Sequence, residues 1–399
     1  MQVPDGWEVI QLGDVGSFKN GVNKSKEDFG FGMPFINLQD VFGHWEIEQS
    51  DFDLVNATDV ELKNYNLNKG DILFIRSSVK PSGVGLTSVV KEDIHNTIYS
   101  GFIIRFRPND MTFDVEYSKY CFHDELFRQR LLQKSTVSAN SNINQESLVS
   151  LDLLLPPKEE QEKIAKILST LDKSIEATNR LIEKEKNIKT ALMQELLTNG
   201  IDQNGQIRSI TTHTYKESEL GLIPEEWEVV SLDDFFKLKS GDTKPEDTSN
   251  NGIYEVYGGN GITGYSNFKN NDEETLIIGR VGEYCGSVYL VNECWITDNA
   301  LYITKKIKKF DTKYMFYLLY FLNLNQYKSE TGQPLLNQTI IGNAKTSYPR
   351  NFEEQKQIAK ILTTQDKKIE TEETNLAKLK ELKKGLMNDL LSGEVRVKV

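Results

Sequence analysis

The fold class predicted by this sequence is a mixed α/β tandem repeat. Two globular domains are separated by two long antiparallel helices that form a coiled coil, related by a pseudo-twofold. Three observations lead there. The opening VPDGWEVIQLGDV at residues 3–15 recurs 220 residues later as IPEEWEVVSLDDF at 223–235. EEQEKIAKIL at 159–168 returns as EEQKQIAKIL at 353–362, and an offset of 194 then holds to ALMQELLTNG (191–200) and GLMNDLLSGE (385–394). The intervening stretches carry short apolar runs bounded by turn residues, the mark of strands. An internal repeat is weighed first, because missing one misassigns the whole architecture.

The first domain, residues 1–155, offers strands at 71–75 (DILFI) and 101–106 (GFIIRF) and a helix over 115–134. The helix over 156–200 begins at Pro156–Pro157, since proline is tolerated in a first turn, and stops at Gly200. Its apolar residues Ile164, Leu168, Leu171, Ile175, Ile182, Leu192 and Leu196 follow steps of three and four or their multiples, among Glu and Lys. Such a narrow stripe predicts a coiled-coil seam. Residues 201–222 are polar and aperiodic and read as a linker.

The second domain, 223–350, offers strands at 275–278, 287–291 and 300–303 and a helix over 313–323. The apolar run 314–322 inside that helix is far below the roughly 18 residues of a membrane span and reads as a buried helix. A second long helix spans 351–395, with Asn351 and Glu354 as a capping pair, Gly393 as its stop, and a seam of Ile358, Leu362, Ile369, Leu376, Leu379, Leu386 and Leu390. A helix of this length reaches roughly 60 Å at 1.5 Å per residue. Outside the shared frame, residues 19–60 show no counterpart in 237–270, which suggests one scaffold serving two different targets.

Composition narrows the function. The 399 residues carry a net charge of −12, and the acid excess lies in the globular parts: 22 acids to 15 bases over 1–158, and 20 to 15 over 201–352. Attraction to a phosphate backbone is therefore not built in and must come from local basic loops or a partner. The start has no signal-peptide pattern, so a cytoplasmic protein is expected. Cys121, Cys285 and Cys294 lack CxxC spacing, and His44, His95, His123 and His213 are scattered, so neither a metal site nor a disulfide framework is expected. Gly259-x-Gly261-x-x-Gly264 fits a dinucleotide fingerprint in letters, but turn residues follow where a helix must open. No phosphate-binding G-x-x-x-x-G-K-[ST] loop, amino-methyltransferase N/D-P-P-F/Y motif or nuclease carboxylate cluster is found. No catalytic residue, cofactor or metal is expected.

The W-E-x-x-x-L openings at Trp7 and Trp227, the proline-then-E-E-Q-x-x-I-A-x-I-L helix starts and the L-M-x-x-L-L helix ends together resemble the specificity subunits of type I restriction–modification systems. The resemblance covers nearly the whole chain in the family's order. It implies two target-recognition domains, each reading one half of a bipartite site in double-stranded DNA, with the helices setting the gap. It also implies docking of two methyltransferase (modification) subunits, with restriction/translocase subunits joining them, and no membrane.

Base edges call for hydrogen-bonding side chains on exposed loops, and phosphates for cations, hydroxyls or backbone N–H groups. The candidates in the first domain are Arg76, Ser77, Ser78 and Lys80 after the first strand, with Thr136, Ser138, Asn140 and Asn142 in the polar loop before the helix. In the second domain they are Tyr257, Asn260 and Arg280, with Thr331, Gln333 and Asn337. Two other classes of function stay open. The acidic charge fits a two-headed protein–protein adaptor without DNA specificity. A methyltransferase or nuclease with duplicated recognition domains would need the motifs that are missing.

Overall fold

The W-E-V-I opening runs into a strand, and its partner is the segment just before the long helix. Glu8–Gln11 pairs antiparallel with Asp152–Leu155, and Trp227–Ser231 with Lys345–Pro349. Each domain is thereby closed by its own two ends. The computed structural model describes residues 3–109, 112–137, 141–329 and 334–398. It divides into two units: residues 1–179 with 375–399, and residues 180–374.

In the first unit a five-stranded sheet runs in the order Gly16–Asn20, Ile103–Pro108, Ile72–Ile75, Thr87–Val90 and Glu46–Ile47. Its pairs are antiparallel except the last, which is parallel. Ile72–Ile75 is buried on both faces, as a continuous apolar run requires. A three-stranded sheet of Asp53–Val55, Phe29–Ile36 and Ile98–Tyr99 stands beside it.

The second unit repeats this frame. Its four-stranded sheet runs Phe236–Ser240, Ala300–Lys306, Thr275–Gly279 and Val288–Val291, beside a sheet of Gly261–Ser266, Tyr254–Gly258 and Trp295–Ile296. All five strands expected from the sequence are present, with ends shifted by at most two residues at their starts.

Two expectations need correction. Residues 19–60 and 237–270 do share a scaffold. The bridge Val22–Ser100 is matched by Asp242–Thr297, and the parallel pair Phe29–Ile36 with Ile98–Tyr99 by Tyr254–Gly258 with Trp295–Ile296. Backbone pairing tolerates almost any side chain, so this likeness leaves no letters behind. The helix expected over 115–134 is two helices, Val115–Cys121 and Glu125–Gln133, because Asp124 caps the second by accepting from the Phe127 N–H (3.0 Å). The matching helix Thr312–Phe321 is unbroken and buries Tyr314, Met315, Tyr317, Leu318 and Leu319.

Lys158–Thr198 and Phe352–Ser392 are both 41-residue helices. They begin with the same E-E-Q, and the structure gives each of its inner letters a task. In the first unit Glu160 accepts from Trp7 Nε1 (2.9 Å) and from Nε and Nη2 of Arg396 (2.8 Å each). Burial pushes the Glu160 carboxyl upward, but Arg396 and Trp7 outweigh it and leave the pKa below its ordinary value. Gln161 accepts from the Asp114 N–H (2.8 Å) and donates to Pro156 O (3.0 Å). In the second unit Glu354 accepts from Trp227 Nε1 (3.2 Å) and from Arg208 Nη1 and Nη2 (2.5 and 3.1 Å). Gln355 accepts from the Asp311 N–H (3.0 Å) and donates to Pro349 O (2.9 Å). A carboxylate on a first helical turn also meets the positive end of the helix dipole.

Each unit holds a stretch of both long helices, running antiparallel. In the first, Lys383 pairs with Asp172 (2.6 Å), which also accepts from Tyr120 Oη (2.7 Å). In the second, Lys189 pairs with Asp366 (2.6 Å), which accepts from Tyr317 Oη (2.6 Å). Asp366 lies 194 residues after Asp172, and Lys383 lies 194 after Lys189. One contact is thus built twice.

Of the expected seam, Ile164, Leu168, Ile182, Leu196, Ile358, Leu362, Ile369 and Leu390 are buried, and Leu171, Ile175, Leu192, Leu376, Leu379 and Leu386 half-buried. A fully buried leucine such as Leu168 or Leu362 contributes roughly 1.5–3 kcal/mol. The stripe's gap between Ile182 and Leu192 is filled by polar residues. Buried Glu185 accepts from Gln365 Nε2 (2.8 Å) and pairs with Lys368 (2.7 Å), which hold its carboxyl below its ordinary pKa.

Segment 201–222, expected as a linker, holds Tyr215–Ser218, which pairs with Gly221–Pro224, and supplies Arg208.

Candidate nucleic-acid interface

The central strand of each unit ends in an arginine whose backbone ties three chain segments together. Arg76 N–H donates to Phe102 O (2.8 Å), and Arg76 O accepts from the Ile143 N–H (2.9 Å). Arg280 does the same with Asn299 O (3.0 Å) and the Leu336 N–H (2.8 Å). A loop follows each arginine and closes on a glycine with positive φ, Gly85 (+65°) or Gly286 (+93°). Gly85 N–H donates to Ile75 O and Gly286 N–H to Gly279 O, both at 2.7 Å. A Cβ at Gly286 would lie 2.5 Å from Asn325 N, so only glycine fits there. Loops 76–85 and 280–286 therefore occupy the same place in the frame.

In the first unit the structure gathers most of the expected residues. Ser77–Ser78 pairs with Ser141–Asn142, which pairs with Thr136–Val137. Ser77, Ser78, Thr136 and Asn142 thus share one small sheet, and Arg76 immediately precedes its strand Ser77–Ser78. Lys80 is exposed where the turn Pro81–Gly83 begins. Arg76 Nη1 also donates to Gly101 O (3.2 Å), which steadies the loop base. Ser138 and Asn140 lie outside the described residues, as do Thr331 and Gln333 in the second unit.

In the second unit Asn260 is exposed in the turn that joins Tyr254–Gly258 to Gly261–Ser266. The Gly259 backbone lies against Gly279 and Val281, so this turn adjoins Arg280. Tyr257 is half-buried, its hydroxyl donating to Glu255 (2.7 Å), and burial raises its pKa. Arg280 Nη1 donates to Ser240 Oγ (2.8 Å), while its Nε is buried without a partner. Asn337 caps Gln338–Gly342 by accepting from the Ile340 N–H (2.8 Å). The strand Gly261–Ser266 runs through Gly264 where a dinucleotide site needs a helix start.

Sequence reasoning missed three features. Asn144 is the counterpart of Asn337, capping Gln145–Val149 by accepting from the Ser147 N–H (2.8 Å). The signal was present in the short repeat Ile143-Asn144-Gln145 and Leu336-Asn337-Gln338. Val79, 82% exposed, stands at the tip of the first loop beside Lys80. Glu283 and Tyr284 are exposed on the second, and no residue pattern links the two loops.

Among the described residues no cluster of His, Cys, Asp or Glu could hold a metal ion, and Cys121, Cys285 and Cys294 are buried and free. Among these same residues, no helix is long and apolar enough to cross a membrane.

Two copies of one frame, alike in pairing and unlike in their loops, define a duplicated recognition protein. The chain matches the type I restriction modification DNA specificity domain at residues 4–186 and 224–381, and belongs to that family. The MjaX and MjaVIII type I restriction enzyme specificity subunits of Methanocaldococcus jannaschii are 27% and 26% identical to it over 427 and 436 aligned residues. In both cases 100% of this chain and 95% of the relative are covered. The crystal structure of the type I restriction-modification S subunit from M. genitalium superposes with a TM-score of 0.61 at 17% identity, covering 98% of each chain. At that identity the likeness is one of fold.

Proposed function

We propose that this chain is the DNA-reading subunit of a type I restriction–modification complex and performs no chemistry of its own. The observation that carries the proposal is the pair of equivalent loop platforms, built on Arg76 and Arg280 in a frame otherwise made alike. Residues 1–155 and 223–350 act as target-recognition domains, each reading one half of a bipartite site in double-stranded DNA. Residues 156–200 and 351–395 act as spacer helices, paired as an antiparallel coiled coil with a pseudo-twofold between the halves, and 201–222 link them. Equal helices of 41 residues set a fixed gap and offer two like surfaces to two methyltransferase subunits. Restriction/translocase subunits would join that core. If both domains face one side of the duplex, the half-sites lie about one helical turn apart. A DNA-reading subunit works where the chromosome is, in the cytoplasm.

Base contacts fall to Arg76, Ser77, Ser78, Asn142 and Asn260, with Lys80 and Thr136 on phosphate. The net charge of −12 assigns most phosphate contacts to the methyltransferase. The same charge is what a protein–protein adaptor without DNA specificity would carry. Methylation mapping by single-molecule sequencing, in cells expressing the chain with its neighbouring methyltransferase, separates the two. Two short half-sites with a fixed gap are expected, and exchange of residues 223–350 should change one half alone. A stable complex that adds no methylated motif overturns the proposal in favour of the adaptor.

A further inference from the structure

We infer that Glu283 selects a cytosine in the half-site bound by the second unit, accepting a hydrogen bond from its exocyclic N4 amino group. The inference rests on the DNA-reading function proposed above. Loop 280–286 stands where the first unit carries 76–85, and the two differ in length and chemistry. Between arginine and closing glycine the first is Ser-Ser-Val-Lys-Pro-Ser-Gly-Val, with a cation and no acid; the second is Val-Gly-Glu-Tyr-Cys. Arg280 is poorly placed to read a base, because Nη1 is held by Ser240 and Nε is buried. The exposed groups at the loop tip are Glu283 and Tyr284, the latter 58% exposed.

The tip is held at three backbone points. Gly282 N–H donates to Pro334 O (3.0 Å), and Asn325 Nδ2 donates to Glu283 O (3.0 Å) and Cys285 O (2.6 Å). Among the described residues Glu283 is engaged through its backbone carbonyl, and its carboxylate enters none of the ion pairs. Duplex DNA carries a negative charge about every 1.7 Å of axis, so a bare carboxylate on a DNA-facing loop is repelled unless it meets a base donor. In the major groove an acidic side chain accepts from cytosine N4, whereas glutamine pairs with adenine N6 and N7. The first loop, with Lys80 and no acid, makes no such demand on its half-site.

The test is methylation mapping of cells expressing the full chain with its methyltransferase, comparing wild type, Glu283→Gln and Glu283→Ala. Copurified methyltransferase reports assembly. The half-site of the second unit, identified by exchanging residues 223–350, should contain a C·G pair at one position where both variants relax. Preference for cytosine there should fall by about tenfold or more, with Glu283→Gln gaining adenine, and every other position unchanged. A wild-type half-site without such a pair, or variants that assemble and methylate the wild-type motif unaltered, overturn the assignment while leaving the DNA-reading function standing. A wild-type complex that writes no bipartite motif overturns both.

Discussion

Replacing Glu354 by alanine should destabilise the second unit far more than replacing Glu160 destabilises the first, although the two glutamates hold equivalent places. The difference lies in their arginines. Arg208 is buried, its side chain 7% exposed, whereas Arg396 is 40% exposed. Without Glu354 the Arg208 guanidinium stays in the interior with only the longer contact of its Nε to Glu226 (3.6 Å), a carboxylate 68% exposed, and Trp227 Nε1 and the Ile201 N–H, 3.1 Å from the lost carboxylate, also lose their acceptor. Breaking a buried pair in this way costs roughly 3–5 kcal/mol. Without Glu160, Arg396 turns to water, and the main loss is the Trp7 hydrogen bond, about 1–3 kcal/mol. At about 2–4 °C per kcal/mol for a unit of this size, Glu354→Ala should lower the melting of the second unit by roughly 6–20 °C. Thermal melting with hydrogen exchange to assign the transition is the assay. The control is the double variant Arg208→Met with Glu354→Leu, which should recover the part of the loss due to the uncompensated charge, because a buried pair replaced by apolar groups is often neutral, while the unpaired Trp227 Nε1 and Ile201 N–H keep the remainder. Equal costs at Glu160 and Glu354, or a double variant no better than the single, would refute the reasoning.

Three further outcomes follow from named contacts. His123 stacks on Trp45 with ring centroids 4.1 Å apart, and burial lowers its pKa to about 4. The unfolded chain takes that proton near pH 6.5, so stability is complete above that value and declines as pH falls toward 4. Between pH 6.5 and 5 the loss is roughly 2 kcal/mol at 1.36 kcal/mol per unit, and urea melts of His123→Phe should lack it; an unchanged pH slope would sink this assignment. Gly385 lies mid-helix with no atom within 4 Å of an added Cβ, and Ala191 holds the equivalent place in the other helix. Gly385→Ala should add about 0.5–1 kcal/mol in the same melts, and a loss would mean an unseen contact. Glu185 and Gln365 stand where Leu379 and Leu171 stand at the offset of 194. Changing both to leucine should raise the melting temperature of the second unit, and a fall would mean the polar layer stabilises the pair.

Much of the frame was legible in the letters because it rests on side chains that must be particular residues. Only a tryptophan brings a large ring and an N–H to Glu160, and only a carboxylate can answer both that donor and Arg396. Such positions repeat as text. The two arginines escaped notice because they lie beyond the ungapped match and are separated by 188 residues rather than 194. Glu185 and Lys189 fall among the Glu and Lys between Ile182 and Leu192, and a hydropathy pattern counts a buried carboxylate such as Glu185 as exposure.

The candidate site was legible to a different degree. Arg76 and Arg280 were found as cations near strand ends, but their equivalence rests on the hydrogen bonds of Gly85 and Gly286, and backbone bonds write no residue pattern. A loop of ten residues and one of seven cannot be aligned by letters when their shared feature is the place where each closes. That same property suits a reader of sequence. The closing glycine and the arginine carbonyl hold the loop ends, the residues between are free to change, and a new specificity costs the frame nothing. Had both loops carried the same tip residues, a bipartite site would be two copies of one half-site. Under the function proposed above, Val79 and Lys80 in one unit and Glu283 and Tyr284 in the other would read two unlike halves.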